Sequence, residues 1–134
     1  MNRQELLAGG RHPLSYCTNV HPAPDLEAAE RVYRELAAPL LQECLGEGRQ
    51  LCLGAWWPAD VAHSLASDEA LLERHGDLLD SLGLVPISLN LFPMGRFHGA
   101  PVKERVYEPD WSGGARPAHP RAAARAPPAR RGRG

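Results

Sequence analysis

After Trp111 the chain changes character, and that break bounds what the rest of it can fold into. Residues 112–134 comprise seven Ala, six Arg, four Pro and four Gly, together with Ser112 and His119. They carry no carboxylate and no apolar side chain larger than alanine. Ordering a backbone costs roughly 1–2 kcal/mol per residue, which such a segment cannot recover by burial, so a disordered tail is expected. Residues 1–111 are about the length of one small domain. The whole chain balances 15 basic against 16 acidic side chains, for a net charge of −1. Setting aside the six tail arginines leaves nine basic groups, so residues 1–111 stand at −7 beside a +6 tail.

Three readings of the tail compete: a basic arm for an acidic partner, a solvated extension, and GC-rich codons translated out of frame. The third is preferred, because the break is abrupt and falls where a strand-and-helix pattern should continue. No aromatic residue interleaves with the arginines, so the stacking partners of a single-strand binder are missing and nucleic acid is not an expected partner.

No apolar run approaches the ~18 residues of a membrane span, so no membrane insertion is expected. The first ten residues have one arginine and no apolar core of signal-peptide length. Cys17, Cys44 and Cys52 are odd in number and lack CxxC spacing. They read as reduced thiols of a cytoplasmic protein, each a small buried hydrophobe, and not as a disulfide frame or zinc knuckle.

Along the chain, residues 1–13 read as an extension and a strand is expected over 14–20. His21-Pro22-Ala23-Pro24 ends it, and Asp25 is placed to cap a helix. Leu26, Ala29, Val32, Tyr33, Leu36, Leu40 and Cys44 recur near a 3.6-residue period. Pro39 should kink or divide this helix, and Gly46 and Gly48 should stop it. The run 51–57 suits a strand buried on both faces. Pro58 opens a short helical stretch, and Ser67 is expected to cap a second helix with Asp68 and Glu69 in its first turn. Leu71, Leu72, His75, Leu78, Leu79 and Leu82 form its inner stripe, closed by Gly83. A third strand is expected over 84–91, paired regularly only after Pro86.

This β-α-β-α-β order with short connections calls for parallel strands and right-handed helical crossovers, hence an α/β sheet or barrel. Three strands and two helices neither close a barrel nor cover both faces of a sheet. Such a piece should expose Leu51, Leu53, Trp56, Ile87, Leu89 and Leu91 in part, beside open strand edges. The expectation is therefore a fragment of something larger, poorly soluble or only partly folded, and without the function of its full-length relatives.

Two blocks carry a family likeness. They are Leu14-Ser15-Tyr16-Cys17-Thr18-Asn19-Val20-His21-Pro22 and Leu89-Asn90-Leu91-Phe92-Pro93-Met94-Gly95-Arg96-Phe97-His98-Gly99, the latter running on into Val102-Lys103-Glu104-Arg105-Val106-Tyr107-Glu108-Pro109-Asp110-Trp111. Over residues 14–111 the chain resembles the N-terminal third of the EboE metabolite-traffic family, within the xylose-isomerase-like TIM barrels. The resemblance implies that residues 14–111 are the first three β/α units of such a barrel. It also implies a cytoplasmic role in handling a biosynthetic precursor, a small-molecule metabolite, bound for the periplasm. The alternative is a metal-dependent sugar isomerase or epimerase of the same barrel group. Related barrels take a divalent metal on Glu, Asp and His of later strands, so no metal site is expected within these residues.

In a barrel the C-terminal strand ends face the active site. Asn19 and His21 end the first expected strand, Trp56 and Trp57 end the second, and Asn90 and His98 follow the third. Histidine can ligate a metal or carry a proton, and Lys103, beside Glu104, can bind an anionic group. Asn19, His21, Trp57, Asn90, His98, Lys103 and Glu104 are thus the candidate substrate-binding residues. Five of them have a plainer reading: loop hydrogen bonds for His21 and His98, a solvated pair for Lys103 and Glu104, and packing for Trp57, as for Trp56. His63 and His75 fall in helical patterns and read as structural. No Ser-His-Asp spacing, phosphate loop or HExxH appears.

Overall fold

A computed structural model of the chain describes residues 14–91 and Ser112. The expected N-terminal extension, the segment 92–111 and the tail from residue 113 lie outside the described residues.

Three parallel strands form one sheet in the order β1-β2-β3: β1 (Ser15–Cys17), β2 (Leu51–Trp56) and β3 (Leu84–Asn90). The class is mixed α/β, as the alternation of apolar runs and helical periods predicts. The first strand is shorter than expected, because Thr18–Val20 tightens into a 3-10 turn. β3, in contrast, pairs from Leu84 onward with Pro86 inside it, opposite Leu53. The register then shifts so that Gly54 faces Ser88, leaving Ile87 as an extra residue. Proline supplies no ladder donor and is tolerated at edges and bulges; among the described residues β3 pairs only with β2, and the bulge follows directly.

The first helix begins where Asp25 accepts a hydrogen bond from the Ala28 amide at 2.8 Å. It runs as α1 (Leu26–Val32), a π-helical stretch (Tyr33–Ala37) and α2 (Ala38–Leu45). Pro39 accounts for the middle piece. In a regular α-helix its ring would strike the carbonyl four residues back and its missing N–H would break the ladder. The widened turn, in which the Ala38 amide reaches back to the Tyr33 carbonyl, takes up that mismatch without ending the helix. Gly46 closes the helix at φ 81°.

After β2 come α3 (Ala59–Ser67) and α4 (Glu69–Ser81). The cap of α4 is Asp68, which accepts from the Leu71 amide at 3.0 Å, and not Ser67. Ser67 is the last residue of α3, and its hydroxyl donates to the His63 carbonyl at 2.8 Å.

Leu51 and Leu53 pack in one core with Tyr33, Ala37 and Leu41 of the long helix and Leu79 of α4. Both helical crossovers therefore lie on the same face of the sheet. Cys52, Val85 and Ile87 cluster separately, as alternation along a strand requires. The expected exposure of the strand residues is corrected at β2: Leu51 and Leu53 are 0% exposed and Trp56 2%. β2 is the central strand, paired on both edges, and all six of its residues are buried. Ile87, Leu89 and Leu91 are half-buried. The cysteines divide likewise. Cys52 is buried in the central strand, whereas Cys17 on β1 and Cys44 on α2 are exposed, contrary to the expectation that all three are buried. Among the described residues no helix is long and apolar enough to cross a membrane.

Candidate functional site

Parallel pairing brings the C-terminal ends of the three strands to one edge of the sheet, and Thr18 ties two of them together. Its hydroxyl accepts the Trp56 amide proton at 3.0 Å and lies 3.5 Å from the Gly54 carbonyl, to which it donates. On the other side of β2, Asn90 pairs with Trp56, and its carbonyl accepts from the Trp57 amide at 3.3 Å. The end of β2 is thus held between the turn after β1 and the last residue of β3.

Asn19 lies half-buried in the 3-10 turn, and His21 follows that turn, also half-buried. The Tyr16 hydroxyl and His21 Nε2 form a hydrogen bond, with the rings 5.8 Å apart. When the phenol donates, Nε2 is the acceptor and the ring proton sits on Nδ1, which becomes the donor left for another group. Asn19, His21 and Asn90 accordingly share one rim. Trp57 turns away from it into the helical layer. It is 3% exposed, its indole N–H donates to the Tyr33 hydroxyl at 3.2 Å, and its ring meets His75 edge-on at 5.7 Å. His98, Lys103 and Glu104 lie outside the described residues.

A second polar group lies where the long helix meets α4. Glu30, 4% exposed, accepts from His75 Nδ1 at 3.1 Å, from Arg74 at 3.2 Å and from Arg34 at 3.4 Å. Burial alone would raise the Glu30 carboxyl, but the bonds from His75 and Arg74 outweigh it and hold the carboxyl below the usual range. Burial drives His75 the other way, towards neutral imidazole, against the pull of Glu30, with Arg74 and Arg34 adding to the effect. The contact between them is therefore a hydrogen bond from neutral imidazole to a carboxylate. Burial also pushes the Tyr33 phenol up to about 12, and the Cys52 thiol is raised for the same reason.

Among the described residues no three His, Cys, Asp or Glu side chains come together in a way that would hold a metal ion. The buried Glu30–His75 contact already has two guanidinium partners. These residues do not fit a divalent metal. Sequence reasoning missed Thr18 and Tyr16, which it read only as strand residues, and Glu30, which it placed on no functional face. Tyr16 and His21, five residues apart, give a faint signal, since a tyrosine shortly before a strand-ending histidine can reach back to it. Nothing in the sequence marks Thr18, whose partner is 38 residues away.

Comparison of the chain with protein-family models, curated proteins and solved structures finds no match.

Proposed function

We propose that these residues are part of an EboE-like, xylose-isomerase-like β/α barrel that binds a small polar metabolite at its strand-end rim and hands it on as a precursor bound for the periplasm. The observation that carries this reading is the common rim. Asn19, His21 and Asn90 emerge at one end of a parallel sheet whose strands follow one another in order. Ligands of α/β sheets and barrels bind outside the carboxyl ends of the strands, because the strands fix position and the loops supply chemistry. Two features support a barrel in particular. The strands add in one direction, and both helical crossovers pack on one face of the sheet. An amide on each side and an imidazole with one nitrogen engaged by Tyr16 suit hydroxyl and carbonyl groups better than a charged ligand.

The test is an NMR titration of the labelled chain with neutral polyols, sugars and hydroxy-ketones. Binding should shift the amides of Asn19, His21 and Asn90 together, and His21→Ala or Asn90→Ala should weaken it about tenfold or more, the loss of one or two buried hydrogen bonds. Shifts scattered over the helices, or unaffected by both replacements, would sink the rim reading. Recovery of the ligand chemically unchanged favours traffic, whereas conversion to an isomer favours the enzyme.

A further inference from the structure

His75 lies on α4, 2% exposed, between the rings of Tyr33 and Trp57 at 5.8 and 5.7 Å. Its Nδ1 faces Glu30, and its Nε2 is buried with no hydrogen-bond partner. Neutral imidazole tolerates this arrangement, since Nδ1–H donates and Nε2 is only an idle lone pair. A proton on Nε2 turns that lone pair into a charged donor with nothing to accept it, which is far more costly.

The groups around the ring offer little compensation. The long helix presents Glu30, Tyr33 and Arg34, and α4 itself presents Arg74. The end of β2 adds the uncharged Trp57 indole. Against that indole α3 packs Val61, Ala62 and Leu65, while its Asp60 and His63 are exposed. Glu30 supplies the negative charge, and two guanidinium groups already share it.

From this geometry we infer that the Glu30–His75 pair is an acid-sensitive latch, which joins α4 to the long helix and opens when His75 takes up a proton. The opening is a hydration event. The new Nε2–H finds an acceptor only if the ring reaches water, so α4 must move away from Tyr33 and Trp57. Trp57 then loses the imidazole against its ring. Its backbone amide is the one bonded to the Asn90 carbonyl, so the disturbance reaches the strand ends whether or not a metabolite binds there. The burial that keeps the folded imidazole neutral sets the opening below the ordinary histidine range.

The experiment is an NMR pH titration of the full labelled chain from about pH 8 to 4.5, a window that brackets the ordinary histidine pKa of about 6.5. The His75 Cε1–H, the Trp57 indole N–H and the α4 amides should move through one shared transition with its midpoint below about 6.5, and α4 amides should lose hydrogen-exchange protection in the same window. His75→Asn keeps a donor near the Nδ1 position and cannot titrate. It should retain the high-pH spectrum and abolish the transition. Should that variant not fold, the wild-type titration decides. The latch is overturned if His75 titrates while Trp57 and α4 stay unmoved, or if His75 remains neutral until the whole chain unfolds. Persistence of the transition in His75→Asn overturns it equally.

Discussion

Thr18 shows how much one hydroxyl can organise. It is 4% exposed, and by accepting the Trp56 amide it takes over where the β1–β2 ladder stops. Thr18→Val keeps the shape and leaves that buried N–H unsatisfied, so urea unfolding should show a loss of about 1–3 kcal/mol. Thr18→Ser, which restores the acceptor, should recover most of it. Glu30 and His75 make stability depend on pH in one direction. The folded His75 pKa is lowered, so above the unfolded value of about 6.5 both states are neutral and nothing is lost. Below that value the unfolded chain binds a proton that the folded chain refuses, and stability falls with pH until the folded pKa is passed. Glu30 is also lowered, so its contribution is present above its unfolded value and is lost as pH falls through the folded one. Melting temperature should therefore decline steadily from pH 7 towards pH 4. In Glu30→Gln the part of that decline below about pH 5 should shrink, because the carboxylate that must be protonated is gone.

At the scale of elements, local chemistry sets the ends of helices, and packing sets their interiors. Gly83 closes α4 at φ 69°, and a Cβ there would come within 3.0 Å of Leu41 Cδ2 and 3.3 Å of the Arg49 carbonyl. Gly76, in the middle of the same helix, has open space where a Cβ would go. The two glycines should respond oppositely to alanine. Gly83→Ala should cost about 1–3 kcal/mol through backbone strain, whereas Gly76→Ala should add about 0.5–1 kcal/mol by removing a flexible residue from a helix interior. Chemical denaturation of the two single variants measures the contrast. The π-helical stretch belongs to the same scale. It lets the chain pass Pro39 while Tyr33, Ala37 and Leu41 all stay in the core, and it carries the Tyr33 hydroxyl to the Trp57 indole. Irregular turns of this kind recur where a helix must place one side chain out of regular register.

For the molecule as a whole, the sheet is stabilised from its middle outwards. β2 is paired on both edges and wholly buried, whereas β1 is three residues long, and Leu14 and Val20 on either side of it are exposed. Native-state hydrogen exchange should find the β2 amides slowest and those of β1 substantially faster, since protection follows burial and pairing. Equal protection across the three strands would mean that the sheet opens only as one unit. Much of this architecture is legible in the sequence, because it depends on neighbours close in the chain. The strand–helix alternation, the Asp25 cap, the effect of Pro39 and the closures at Gly46 and Gly83 all follow from local periods and backbone preferences. The positions of Asn19, His21 and Asn90 at the strand ends were legible too, since each lies at the end of an apolar run. What tertiary structure decided depends on partners far apart in sequence. Thr18 meets Trp56, Glu30 meets His75 and Trp57 meets Tyr33 across separations of 24 to 45 residues. No periodicity encodes such pairs. Parallel pairing of β1 with β2 brings Thr18 to Trp56, and the two crossovers on one face bring Glu30 to His75 and Tyr33 to Trp57; in each place a buried polar group must find a partner or forfeit its hydration.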